Sequence, residues 1–152
     1  MLVVGVGNDL RGDDGIGPAV VRRVREAQTG ARVAVLLGDA ANLVELMRGE
    51  VHVVIVDAVA CAGQVGRIHR VDASGEWEGP RQPEGSTHAL GVAEAIELAR
   101  ALHCLPPRVT VFGIEGTRFG IGQEPSPEVR ATEDLAVAAV LGEMEHAASD
   151  AA

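Results

Sequence analysis

VHVVIV, at residues 51–56, is nearly all β-branched and predicts a buried strand at the centre of a sheet. Similar aliphatic runs occupy residues 2–6, 32–37, 66–71 and 108–114. Apolar side chains recur at helical spacing between them, over residues 16–24, 41–47, 88–102 and 127–146. This alternation predicts an α/β fold, a three-layer α/β/α sandwich with a mostly parallel five-stranded sheet. The short link between the third and fourth strands leaves open that one strand is antiparallel.

The composition predicts one domain over residues 1–152 with an aliphatic core. Hydrophobic residues make up 47% of the chain and aromatic residues 2%, so Val, Leu, Ile and Ala must fill the interior. We find no internal repeat and no domain boundary. Residues 73–86 and 115–125 form loops of a length that is usually functional or disordered. Residues 147–152 are expected to fray.

The charge balance narrows the classes of partner. Thirteen basic against 22 acidic residues give a net charge of −9, which excludes a basic face for nucleic acid and disfavours an anionic membrane. Apolar runs of about seven residues are too short to span a membrane. The N-terminus lacks a signal-peptide pattern, and Cys61 and Cys104 read as small buried residues in a reducing compartment. We therefore expect a cytoplasmic protein with a cationic or metal-bearing partner.

The glycine-rich stretch GVGNDLRGDDGIG, residues 5–17, follows the first strand. A dinucleotide-binding loop would need glycine where Leu10 stands, and a P-loop would need Lys and Ser/Thr where Asp13 and Asp14 stand. Two carboxylates repel phosphate, so a nucleotide-binding domain is disfavoured and the loop suits a positive ligand. We expect Asp13 to cap the following helix, which leaves Asp14 without a capping role.

Three separated residues are candidates for one site. Asp14 follows the first strand, Asp57 follows VHVVIV, and His88 lies in GSTHALG at residues 85–91, after the fourth strand. If those strands are parallel, all three lie at the carboxyl edge of the sheet, where two carboxylates and an imidazole suit Zn²⁺ or Ni²⁺. The alternatives are a turn-forming role for Asp57 and a surface or capping role for His88. We expect such surface or capping roles for the other histidines, His52, His69, His103 and His146.

At these residues the chain resembles the hydrogenase maturation endopeptidases. The matching segments run in the same order over nearly the whole chain: VVGVGNDLRGDDGIG at 3–17, VVIVDAV at 53–59, STHALGVAEAIELA at 86–99 and, more weakly, FGIEG at 112–116 and PSPEV at 125–129. The resemblance implies an α/β/α fold. It also implies an endopeptidase that removes the C-terminal extension of a [NiFe] hydrogenase large-subunit precursor after nickel insertion.

The resemblance further implies that Asp14, Asp57 and His88 are the metal-contacting and catalytic positions. The Ni²⁺ would belong to the substrate, so no cofactor is expected to be permanently bound, although Zn²⁺ or Cd²⁺ is expected to substitute in vitro. The partner would be the precursor, and a monomer is expected. No nucleophilic triad is evident, so hydrolysis would use a water activated by Asp14 or by the metal.

One departure from the family pattern leaves an alternative open. Gly38 takes the place of an expected acidic residue after the second strand, and Asp39 follows one position later. Asp39 is either a weak candidate for the cleft or, more simply, the N-cap of the second helix. The departure leaves room for a different class of function, a non-catalytic metal-dependent binding or chaperone module for a metalloenzyme precursor.

Overall fold

The computed structural model describes residues 1–77 and 91–150 of the chain. In these residues the predicted order of strands and helices is confirmed: β1 (Leu2–Val6), α1 (Ile16–Glu26), β2 (Arg32–Leu36), α2 (Ala40–Met47), β3 (His52–Ala60), β4 (Ile68–Asp72), α3 (Val92–Ala101), β5 (Arg108–Gly116) and α4 (Pro127–Asp150). A one-turn 3-10 helix, Gly12–Gly15, joins β1 to α1. The expectation that the C-terminus frays from residue 147 is wrong for residues 147–150, where α4 continues and Ala147 is buried.

The sheet has the strand order β2-β1-β3-β5-β4. The strand predicted from VHVVIV is therefore central, as expected, and it runs four residues further to Ala60 because it stays paired with β5 as far as Gly116. β1, β2, β3 and β5 are parallel, whereas β4 is antiparallel to β5. The short link over residues 61–67 accounts for this direction, because a parallel return would need a full crossover.

Both faces of the sheet are covered, which confirms the three-layer sandwich. Alternate strand residues point to opposite faces, so neighbouring aliphatic side chains enter separate cores. One core packs α2 and α3 against Leu2, Val4, Val53, Ile55 and Val111. The other packs α1 and α4 against Val3, Val54, Val56, Phe112 and Ile114. Because both faces of the sheet are buried, nearly every residue of a strand is apolar, and the strands appear in the sequence as continuous aliphatic runs.

The parallel strands β1, β3 and β5 end at one edge of the sheet, and α1 begins there. The turn that carries Asp14 and the part of β3 that carries Asp57 lie at this carboxyl edge. In the part of the chain that the structure describes, no helix is long and apolar enough to cross a membrane.

Candidate active site

Glycines bring the loop that carries Asp14 against the end of the sheet. A Cβ on Gly7, whose φ is +140°, would lie 1.9 Å from the main-chain oxygen of Asp14. A Cβ on Gly17 would lie 2.5 Å from the carbonyl oxygens of Val6 and Val56. The glycine-rich stretch therefore serves close packing of the first turn of α1 on β1 and β3.

A hydrogen bond to the loop orients the Asp14 carboxylate. The main-chain N–H of Asn8 donates to Oδ2 of Asp14 at 2.8 Å. The carbonyl oxygen of Asn8 accepts from the N–H of Arg11 at 3.1 Å, and the carbonyl oxygen of Arg11 accepts from the N–H of Asp14 at 3.1 Å. Asp14 stands two residues before α1, where the free N–H groups of the helix N-terminus favour a negative charge.

Asp57 lies inside β3, paired with Gly113 of β5, so a turn-forming role for it is wrong. The neighbouring pair Gly5–Val56 is the last between β1 and β3, which places Asp57 just beyond the end of β1. Its side chain is 8% exposed. Burial, followed by the charge of Asp14, raises the pKa of the Asp57 carboxyl to about 8, against a smaller opposing effect of the Ala58 N–H.

Asp14 and Asp57 are thus brought to the same edge, as the sequence predicted. Two carboxylates so placed do not both ionise easily at neutral pH, and a proton or a cation between them relieves the repulsion. Within residues 1–77 and 91–150, no three His, Cys, Asp or Glu side chains are arranged to hold a metal ion. The third predicted residue, His88, lies outside the described residues.

The start of α3 lies beside Asp57. A cavity of about 20 Å³ separates them and is large enough for one water molecule. The described residues around this cavity are Asp57, Val59, Val71, Trp77, Val92, Ala93, Val111 and Gly113. The prediction that placed His88 after a parallel strand used a wrong premise, because β4 is antiparallel. Helix α3 begins at Val92, four positions after His88 in the sequence. Val92 lines the cavity beside Asp57 and so lies at the carboxyl edge.

Asp13 does not cap α1, contrary to expectation. The N-cap position is Gly15, without a side-chain hydrogen bond, and the Asp13 carboxylate is instead fully buried beneath the loop after β5. It accepts hydrogen bonds from the N–H groups of Thr117, Arg118 and Ser126 at 2.8, 3.0 and 2.6 Å. Burial alone would raise the pKa of Asp13, but these hydrogen bonds, with that of the Ser126 hydroxyl the strongest, hold it below its usual value.

The alternative predicted for Asp39 is confirmed, because this residue is the N-cap of α2. Its carboxylate accepts from the N–H groups of Ala41 and Asn42 at 2.9 and 3.3 Å and from the Asn42 side chain at 2.9 Å. Gly38, which replaces the acidic residue of the family pattern, has a φ of +109°. The carboxylate of Asp39 therefore caps the N-terminus of α2.

A third buried carboxylate, Glu115, was missed by the sequence analysis. It accepts from His69 Nε2 at 2.7 Å, from the Cys61 thiol at 3.2 Å, and from the N–H groups of Gly63 and Gln64 at 3.1 and 2.8 Å. The hydrogen bond to His69, followed by that to Cys61, lowers the pKa of Glu115 to about 2. The sequence did carry a signal for this residue, because Glu115 directly follows the aliphatic run of the last strand, in FGIEG. A charge buried at such a position requires hydrogen-bond or ion-pair partners.

Other sequence expectations for histidines and cysteines need correction. His52 is buried, not on the surface, and His69 bonds Glu115. Cys61 and Cys104 are half-buried free thiols rather than fully buried ones. The hydrogen bond to Glu115, together with burial, raises the pKa of the Cys61 thiol, which makes it a poor nucleophile.

Comparisons with known proteins agree on one family. The family model described as HycI, hydrogenase maturation protease, matches residues 20–143. A protein of Methanocaldococcus jannaschii, described as a candidate hydrogenase maturation protease, is 31% identical over 151 residues, covering 95% of this chain and 96% of its own length.

Solved structures show the same fold. The hydrogenase maturating endopeptidase HybD from E. coli superposes with a TM-score of 0.75 at 24% identity, covering 96% of this chain and 92% of that protein. The [NiFe] hydrogenase maturation protease HybD from Thermococcus kodakarensis gives a TM-score of 0.69 at 26% identity, covering 93% and 96% of the two chains.

Proposed function

The chain belongs to the hydrogenase maturation protease family and is an endopeptidase of hydrogenase maturation, and we propose that it processes a [NiFe] hydrogenase large subunit. The substrate would be the precursor that already holds nickel, and the product would be the subunit without its C-terminal extension. Family membership favours this activity over the alternative of a non-catalytic binding module.

We propose that Asp14, Asp57 and His88 recognise the nickel of the precursor. The observation that carries this is the burial of the Asp57 carboxyl just beyond the end of β1, where the charge of Asp14 acts on it and raises its pKa. Such a pair favours a divalent cation, which would displace the proton from Asp57 on binding. His88 would add the imidazole that nickel accepts readily, and its place in the sequence four residues before α3 supports this role.

Hydrolysis in this proposal uses a water molecule held near the nickel. Asp14 would accept the proton that this water loses, while the Asp57 carboxylate, freed of its own proton by the cation, would hold the nickel. Polarisation by the substrate's nickel would lower the pKa of that water. This combines features of aspartic-type and metal-assisted hydrolysis, with the metal supplied by the substrate.

We also propose that the protein acts as a cytoplasmic monomer. The free thiols of Cys61 and Cys104 suit a reducing compartment. The described residues cover both faces of the sheet with the chain's own helices, so the core is complete in one chain. Light scattering at several protein concentrations would test the oligomeric state.

The decisive experiment follows loss of the C-terminal peptide from a nickel-loaded precursor by mass spectrometry. We expect Asp14→Asn, Asp57→Asn and His88→Ala to reduce cleavage by at least about 100-fold. Asp9→Asn is a matched control, because Asp9 lies in the same loop but pairs with Arg22 in an exposed ion pair. His146→Ala is the matched histidine control.

Three results would contradict parts of the proposal. Full processing by the Asp14 and His88 variants would remove these residues from the site. Normal cleavage of a nickel-free precursor would exclude nickel recognition. A stable complex with the intact precursor, without peptide loss, would identify a binding module instead.

A further inference from the structure

The buried carboxylate of Asp13 joins the turn that carries Asp14 to the loop after β5. Its two oxygens accept three main-chain N–H groups from that loop, and the Ser126 hydroxyl donates to it at 2.6–2.7 Å. The N–H of Asp13 itself donates to the carbonyl oxygen of Arg118 at 2.7 Å. The bonded donors come from both ends of the loop, at residues 117–118 and at residue 126.

The chain around this contact is shaped to fit it. A Cβ on Gly116 would lie 2.7 Å from the Cβ of Asp13. A Cβ on Gly12, whose φ is +55°, would lie 2.4 Å from the carbonyl oxygen of Arg118. Glycine is therefore required on both sides of the Asp13 contact, in the turn and at the end of β5.

Two further bonds connect the same loops outside the Asp13 contact. The N–H of Gly122 donates to the carbonyl oxygen of Leu10 at 2.7 Å, and Nε of Arg11 donates to the carbonyl oxygen of Phe119 at 2.9 Å. The loop of residues 117–126 therefore holds the turn of residues 10–13 at several points. A shift of this loop would also move Asp14, the residue that follows Asp13.

We propose that Asp13 is a positioning residue that fixes Asp14 by anchoring the turn to the loop of residues 117–126. The inference rests on the proposed role of Asp14 in the site. Because Asp13 and Asp14 are consecutive in a single 3-10 turn, loss of the anchor would let the Asp14 carboxylate move relative to the strand that holds Asp57.

The anchor requires a carboxylate. Four donors converge on Asp13, and a carboxylate offers acceptor oxygens alone. Asparagine has nearly the same shape but replaces one oxygen with an NH₂ group, which would face N–H donors. Asp13→Asn therefore keeps the volume of the side chain and disrupts the anchor.

The test compares Asp13→Asn with Glu143→Gln. Glu143 is a partly buried carboxylate that accepts from Arg70 and Thr110 at the opposite edge of the sheet, so its loss serves as a control for general destabilisation. Cd²⁺ affinity is measured by calorimetry and by the fluorescence of Trp77, the single tryptophan, which borders the Asp57 cavity. Cleavage kcat and KM are measured at a temperature at which every variant is folded by circular dichroism.

We expect Asp13→Asn to weaken Cd²⁺ binding by about tenfold and to lower kcat by about 100-fold, since small misplacement of a reacting group acts on kcat, with a rise in KM no larger than the loss of metal affinity. Glu143→Gln should leave all three values unchanged. If Asp13→Asn does not fold, Ser126→Ala is tested in its place. We expect this variant to show smaller losses of Cd²⁺ affinity and of kcat.

The inference would be overturned if folded Asp13→Asn had the Cd²⁺ affinity and kcat of the wild type. If Asp13→Asn does not fold, the same result for Ser126→Ala would overturn it. Failure of the proposed function looks different, because Asp14→Asn and Asp57→Asn would then also cleave normally.

Discussion

The Asp13 carboxylate accepts hydrogen bonds from both the main-chain N–H and the hydroxyl of Ser126, at 2.6 and 2.7 Å, across 113 positions of sequence. Its neighbour Asp14 lies instead near Asp57, whose pKa it raises. Two consecutive aspartates therefore serve different purposes. One stabilises the fold at the edge of the sheet, and the other supplies charge to the candidate site.

Removal of the Ser126 hydroxyl should destabilise the protein. Ser126→Ala leaves the buried Asp13 carboxylate with one donor fewer, and we expect the free energy of unfolding to fall by about 1–3 kcal/mol. Urea unfolding measures the change. The control is Ser149→Ala, because the Ser149 hydroxyl donates to the carbonyl oxygen of Glu145 on the exposed face of α4. Equal stability of the two variants would contradict the role of Ser126.

The close approach of α1 to the sheet should depend on Gly17. Gly17→Ala would bring a methyl group within 2.5 Å of two carbonyl oxygens, so we expect a loss of at least about 1–3 kcal/mol in unfolding free energy. Gly142→Ala, in α4 with no atom within 4 Å of the added Cβ, should instead stabilise by up to about 1 kcal/mol. Thermal unfolding of both variants checks this, and a neutral effect of Gly17→Ala would disprove the packing argument.

Asp57→Asn should stabilise the metal-free protein at alkaline pH. The pKa of Asp57 rises from 3.8 in the unfolded chain to about 8 in the folded protein, so the folded state loses stability as pH rises between these values. With each pKa unit equivalent to about 1.4 kcal/mol, the variant should exceed wild type by several kcal/mol at pH 9. The two proteins should converge near pH 4. Denaturant unfolding in a chelator measures the difference, and a constant difference from pH 4 to 9 would refute the shift.

Glu115→Gln should have the opposite pH dependence. The folded-state pKa of Glu115 is lowered to about 2 from 4.5, so its stabilising effect is complete above pH 4.5 and is lost as pH falls towards 2. We therefore expect the variant to be less stable than wild type at pH 7, with a difference that shrinks below pH 4.5. Glu145→Gln, on the exposed surface of α4, provides the control. A difference that grows on acidification would count against the hydrogen-bonded carboxylate.

Much of the fold could be predicted because strand residues such as Val53 and Val54 enter different cores. Burial on both faces leaves a continuous aliphatic run, and that pattern can be recognised without any contact being known. The shared edge of Asp14 and Asp57 could be predicted for a related reason, since both follow or extend parallel strands. The role of His88 remains a prediction.

The sequence by itself determined the layer architecture, the central strand and the edge at which the aspartates meet, because these depend on local periodicity and strand direction. Tertiary structure alone decided that β4 is antiparallel, that Asp13 binds the loop before α4 instead of capping α1, and that Glu115 holds His69. For the two carboxylates, the physical reason lies in the groups that donate hydrogen bonds to them. Most donors to these carboxylates are main-chain N–H groups, which every residue but proline carries, so no side-chain pattern reveals which of them a fold will bring together.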